Sequence, residues 1–291
     1  MNSSYIILTE SSCDLSPEMA EQAGVEVVPL SFTLDGKNYA HYIDGREYAL
    51  ADFYARMREG AVAVTAAANV TELTEAMEKH LKAGRDVLFL CFSSGLSSTR
   101  DACAIAAEDL RERYPERKVF TIDTRAASGG QGLLVYLTAM QQRAGASIEA
   151  ARDYAEDHKQ HLCHWFTVDD LSYLKRGGRI SPTVAAVGTM LNIKPVLHVD
   201  EEGHLIPVEK VRGRKAAIAC MLKKMKETVI DPEQQTVLIS HAACLEDAQK
   251  MRGQIEEQFH PRKILISDVG PIVGAHTGPG MIALFFLGTH K

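Results

Sequence analysis

Apolar and polar positions along this chain follow two periods, and the alternation between them lays out its elements. Residues 5–9 (Tyr-Ile-Ile-Leu-Thr) and 87–92 are short, nearly unbroken apolar runs, the pattern of strands covered on both faces in a parallel sheet. Residues 119–122 repeat it. Between these runs the spacing becomes helical. Ser16-Pro17 starts a helix, with Ser as N-cap and Pro in the first turn, and Gly24 ends it. Residues 49–58 put Leu50, Phe53, Tyr54 and Met57 on one face. Asn69 with Glu72 reads as a capping box opening a helix over 70–83, closed by Gly84. Helices over 99–114 and from Ser128 to about Arg143 follow, and Ser147 caps the next one. Residues 25–34 are β-rich, and Asp35-Gly36 is a hairpin signal into 37–43.

Strand, loop and helix alternate in this way through residue 160, which predicts a parallel α/β sheet. Ligands of such sheets sit beyond the carboxyl ends of the strands. The polar loops 9–14, 93–99 and 123–128 would emerge there, with 65–69 able to join them. The second half reads differently. Strands 194–200 and 204–211 form an antiparallel hairpin through Glu201-Glu-Gly203. A helix over 213–229, a strand over 236–241, a helix over 245–259 and strands over 263–268 and 282–287 complete an α+β layer. The expected organisation is an N-terminal α/β/α domain over 1–160 and a C-terminal α+β domain over 161–291. The segment 162–195 joins them as a strand, a short helical turn, the corner Lys175-Arg-Gly-Gly-Arg179, a second helix and then Pro195.

Composition narrows the function. Of 291 residues 46% are hydrophobic and 24% charged, with a formal charge of −6, an ordinary soluble composition without a global nucleic-acid footprint. No basic-then-apolar N-terminal leader and no apolar run of membrane-spanning length is present, so a cytoplasmic protein without stable membrane insertion is expected. Six scattered cysteines with no Cys-x-x-Cys pair read as reduced, mostly buried thiols.

The candidate chemistry is anion recognition. Thr65, Ser94, Ser97 and Thr99 place hydroxyls at helix N-termini, where free N–H groups and the dipole favour a carboxylate or phosphate; each hydroxyl could instead simply cap its helix. His276, in Gly274-Ala-His-Thr-Gly-Pro-Gly280, reads as an imidazole on a tightly turned loop, either an oxyanion donor or a core histidine. The basic corner at 175–179 fits an anionic group or the carbonyls of a helix end, and its two glycines permit close backbone approach. The run Lys210-Val-Arg-Gly-Arg-Lys215 is either a solvated charge run or a contact for an anionic partner. His158, His161, Cys163 and His164 do not complete a metal set and read as a surface histidine run, so no metal is expected. Gly-x-Ser-x-Gly, Gly-x-x-x-x-Gly-Lys-Ser/Thr and Gly-x-Gly-x-x-Gly are all absent, which removes the usual signatures of a hydrolase elbow, ATP and NAD.

Taken together, these stretches resemble the DegV family, fatty-acid-binding proteins that include the FakB subunits of bacterial fatty-acid kinase. The resemblance covers nearly the whole chain. It rests on Thr9-Glu-Ser-Ser-Cys-Asp-Leu15, Thr65 with its helix, Ser93-Ser-Gly-Leu-Ser-Ser-Thr99, Ile122-Asp-Thr-Arg-Ala-Ala-Ser-Gly-Gly-Gln-Gly132, Val168 through Ser181, Asn192-Ile-Lys-Pro195, Lys210-Val-Arg-Gly213 and His276-Thr-Gly-Pro-Gly280.

The resemblance implies a two-domain DegV-type fold and a long-chain fatty acid in a buried tunnel. Its carboxyl group would be hydrogen-bonded by Thr65, Ser97 and His276. It further implies a carrier that is not itself an enzyme; no cofactor is expected, and a monomer fits. Arg212 would help present the acyl group to a separate ATP-dependent fatty-acid kinase subunit, which makes acyl-phosphate for phospholipid synthesis. The family's Thr-Ser-Gln-Pro-Ser loop reads Thr65-Ala-Ala-Ala-Asn69 here, its Asp is Glu10, and the Gly of its Leu-Ser-Gly-Thr turn is Ser98. Those departures shift one expected carboxylate contact to Ser94. The rival readings are a phosphotransferase or acyl-transferring enzyme using His276 and the serine loop, and a regulatory protein with a basic patch.

Overall fold

The structure, a computed structural model, describes residues 4–181 and 192–291. The second helix expected between Ser181 and Pro195 lies outside the described residues.

Tyr5–Glu10 (β1), Glu26–Val28 (β2), Asp86–Cys91 (β6) and Val119–Asp123 (β7) form a parallel sheet in the order β2-β1-β6-β7. Every residue of β1 is buried, the polar Thr9 and Glu10 at its end as well as the apolar run before them. Helices Pro17–Ala23 (α1), Leu50–Arg58 (α2), Val70–Lys82 (α3), Thr99–Arg113 (α4), Gly129–Arg143 (α5) and Ile148–His158 (α6) lie in the same half of the chain, and the short helix Ser172–Arg176 (α7) comes after them. Their starts follow the predicted caps. Ser16 accepts from the Met19 N–H, Ser147 from the Ala150 N–H, and Asn69 and Glu72 form the complete capping box.

Leu162–Thr167 (β8), Ile193–Val199 (β9), Leu205–Arg212 (β10), Thr236–His241 (β11), Lys263–Asp268 (β12) and Ile282–Leu287 (β13) form a mixed sheet in the order β10-β9-β8-β13-β11-β12. One face of this sheet shares a continuous core with the parallel sheet, in which Leu133, Leu134, Phe166, Leu238 and Phe285 meet. Helices Arg214–Thr228 (α8) and Leu245–Phe259 (α9) build a second core, with Met221, Met225, Met251 and Ile255 against Val237, Ile239 and Leu284.

Helix α5 lies between the two sheets, and its first turn is glycine for a steric reason. A Cβ on Gly129 would lie 2.2 Å from Ser240 Oγ, and one on Gly130 2.0 Å from His164 Nε2. Among the described residues no helix is long and apolar enough to cross a membrane.

Three features depart from the sequence expectation. The β-rich run 25–34 is divided at Pro29. Glu26–Val28 joins the parallel sheet, whereas Leu30–Leu34 (β3) pairs antiparallel with Lys37–His41 (β4) and Val64–Thr65 (β5) in a third, separate sheet. Proline has no N–H for a ladder, and the following Leu30 N–H turns to Ser11 Oγ at 3.0 Å. The glycine-rich segment before β13 is not a loop, because Pro271–Thr277 (α10) is helical, with Pro in its first turn and Gly278 at φ +74° ending it. Finally, His164 is not part of a surface run: it is 1% exposed and faces α5.

Candidate functional site

A cavity opens between the two sheets. It has about 140 Å³ of interior volume, and the surrounding atom-free space, mouth included, reaches about 930 Å³. Its apolar wall draws Leu30 from β3, Phe92 after β6, Phe166 from β8, Val199 from β9, Ile272 from α10 and Phe285 from β13. At one end polar side chains gather: Thr65, Ser97, Thr99, Arg179 and His276.

His276 stands on the last turn of α10, and its Nε2 lies 2.8 Å from Thr65 Oγ1 on β5. Its Nδ1 is buried without a hydrogen-bond partner and packs against Gly177, where a Cβ would come within 2.1 Å. An unpartnered buried N–H is the costlier arrangement, so we assign the proton to Nε2. Nε2–H then donates to Thr65, and the threonine hydroxyl keeps its own hydrogen for the cavity. Burial, reinforced by the charges of Arg179 and Arg176, lowers the His276 pKa to about 4, so the ring is neutral at physiological pH.

The serine loop supplies the second donor. Thr99 Oγ1 accepts from the Ala68 N–H at 3.2 Å and lies 3.0 Å from Ser97 Oγ, which in turn accepts from the Thr99 N–H at 3.2 Å. Thr99 thereby ties the 65–69 loop to the start of α4. If its hydroxyl donates to Ser97, the Ser97 hydroxyl is left to point its hydrogen at a ligand. Ser98 caps α4 without a side-chain hydrogen bond; the Thr99 N–H goes to Ser97 and the Asp101 and Ala102 N–H groups go to the Ser98 carbonyl. Arg179 stands at the same end, its guanidinium donating to the carbonyls of Leu96, at 3.1 Å, and Gly177.

Thr65, Ser97 and His276 therefore come from three elements to one cavity, whereas two other candidates do not. Ser94 is exposed, and Asp123 takes both its hydroxyl, at 2.5 Å, and its N–H, at 3.2 Å. That carboxylate turns Ser94 away, and it is not among the lining residues. Arg212 ends β10, exposed and also away from the lining.

Sequence reading missed Thr99 as the bridge between loops and Arg179 as a wall residue, although both lie in segments it singled out. It also missed a buried carboxyl behind the site. Glu10 is fully buried, accepts from the Phe92 N–H and from Gln131 Nε2 at 3.0 Å, and is raised to about 7 by burial. Beside it Asp14, raised to about 8 for the same reason, accepts from Ser128, which lines the cavity. Among the described residues no group of three His, Cys, Asp or Glu side chains is placed to hold a metal ion.

The family model described as an uncharacterised protein of the DegV family matches residues 4–289. A DegV domain-containing protein of Clostridium perfringens is 40% identical over 287 residues, covering 99% of this chain and 98% of its own. Two solved structures are similar throughout. One, from Thermus thermophilus, is described as showing fatty acid binding of a DegV family protein, with 28% identity, a TM-score of 0.88, and 98% and 99% coverage of this chain and that one. The other is a DegV lipid binding protein of Thermotoga maritima, with 26% identity, a TM-score of 0.87 and 99% coverage of both chains.

Proposed function

The chain belongs to the DegV family, and from that membership we propose that it carries one long-chain fatty acid in the cavity between its sheets. The carboxyl group sits at the Thr65–Ser97–His276 end and the chain runs along the apolar wall. The observation that carries this reading is the join of an apolar cavity to a cluster of neutral hydroxyls headed by a neutral imidazole. Burying an acyl chain is worth ~0.8 kcal/mol per methylene, enough for firm retention. The head group needs compensation, because a bare buried carboxylate is costly. Neutral donors satisfy it while leaving its oxygen free for chemistry.

In this proposal the protein is a carrier rather than an enzyme. As the FakB resemblance implies, a separate ATP-dependent kinase subunit transfers the γ-phosphoryl group to a carboxyl oxygen, giving acyl-phosphate and ADP. The exposed Arg212 contributes to docking that subunit. Acyl transfer by His276 itself is the weaker reading. A general base works best with a pKa near the operating pH, and this imidazole is lowered to about 4 with Nε2 already engaged by Thr65.

Native mass spectrometry of the purified protein tests the proposal. A co-purified mass matching a long-chain fatty acid is expected, and an empty protein with esterase or ATPase activity would overturn it. His276→Ala should slow acyl-phosphate formation with the cognate kinase more than it weakens fatty-acid binding, since apolar burial dominates affinity. Equal losses in both assays would count against that division of labour.

A further inference from the structure

A second cavity, of about 460 Å³, lies outside the lipid site and has the opposite character. Residues 14–18 at the entry to α1, residues 41–50 after β4 and residues 268–271 surround it, apart from three positions. Four carboxyl groups line it, Asp14, Glu18, Asp44 and Asp268, and no Lys or Arg does among the described residues. Asp44 is paired with Arg46 at 2.7 Å, but neither Glu18 nor Asp268 has a Lys or Arg partner among the described residues.

The second observation is His41. It lines this cavity, is only 7% exposed, and its Nδ1 has no hydrogen-bond partner. A buried polar atom left unpaired costs free energy, yet the backbone is shaped to keep the ring there. A Cβ on Gly270 would lie 2.2 Å from its Cε1. Burial lowers the His41 pKa to about 4, so at neutral pH the ring offers a lone pair.

The ligand class follows from the chemistry of the lining. No three of these groups are placed to share one ion, so a compact metal cation does not fit. With Asp14 held protonated by burial and Asp44 paired with Arg46, Glu18 and Asp268 are the carboxylates left for a ligand, and Leu15, Pro17, Ile43 and Leu50 line the same cavity, which fits positive charges joined by methylenes. We propose that this cavity binds an aliphatic diamine or polyamine, its ammonium groups paired with Glu18 and Asp268, one N–H donated to His41, and its stem on the apolar wall. This inference does not rest on the lipid reading.

Isothermal titration of the full-length protein with putrescine and with spermidine, at a salt concentration of about 0.15 M to screen diffuse attraction, tests it. One saturable site is expected. Asp268→Asn, at an exposed position, should weaken it several-fold with an unchanged unfolding temperature, and His41→Gln should weaken it as well. Glu257→Gln, a charge-matched change on α9, should leave it intact. Absence of saturation, or equal weakening by Asp268→Asn and Glu257→Gln, would overturn the proposal. Tighter binding of N-acetyl-arginine methylamide than of either amine would also overturn it, assigning the cavity to an arginine side chain of a protein partner.

Discussion

At the scale of single residues, the site depends on a missing side chain. Gly177 has an ordinary φ of −73°, so its identity is set by the His276 ring against it rather than by backbone strain. Gly177→Ala should keep the fold while displacing the imidazole and breaking its hydrogen bond to Thr65. Fatty-acid affinity should then fall about tenfold, the worth of one hydrogen bond, and unchanged affinity in a competition assay with a fluorescent fatty acid would refute the role. The sequence made this corner legible only in part. Two adjacent glycines announce close approach, but nothing local says that the approaching group is a histidine a hundred residues downstream. Arg179 was legible as a cation seeking carbonyls, and it does cap two of them. Glu10 was readable only as a polar loop residue, because its burial is produced by Gln131 and Phe92 from distant elements.

At the scale of elements, the cavity wall inherits its position from helix starts. The box formed by Asn69 and Glu72 fixes the first turn of α3, and the Thr65–Asn69 segment hangs between that turn and β5. Asn69→Ala should cost about 1 kcal/mol in chemical denaturation and loosen Ala66 and Ala67, which also line the cavity. Retained stability together with unchanged lipid occupancy would show the box to be dispensable. Local signals of this kind made α1 and α3, and the start of α6, readable to within a residue or two, since each cap is satisfied within its own turn. The β3–β4 hairpin was readable from Asp35-Gly36, but its third partner was not, because β3 meets β5 only after that hairpin and a helix. Nor was α10, whose glycines read as loop signals. Gly274 is glycine because a Cβ there would lie 2.5 Å from the hydroxyl of Tyr54, which no local pattern reveals.

At the scale of the whole molecule, two carboxyl groups lie in the seam between the sheets, and they make stability depend on pH. Burial raises Glu10 from 4.5 to about 7 and Asp14 from 3.8 to about 8, so the folded state holds protons that the unfolded state has released. Their stabilisation is complete below the unfolded values and is lost as pH rises through the folded ones. His41 and His276, lowered to about 4, act in the opposite sense only below pH 6.5. Lys291, lowered to about 8, opposes the carboxyls above that value. Between pH 6.5 and 8 the carboxyls therefore dominate, and stability should fall by roughly 2 kcal/mol in urea titrations. Asp14→Asn should remove most of that slope, since Asn tolerates the left-handed backbone at φ +50°. A slope unchanged by the substitution would mean that other groups set it. The same seam contains α5, which the chain makes early and spends on both sheets. Any attempt to express the two halves as separate pieces, by cutting the gene near residue 160, should therefore fail. The second fragment would emerge with one broad face of its sheet stripped bare, aggregating until the first fragment was supplied beside it.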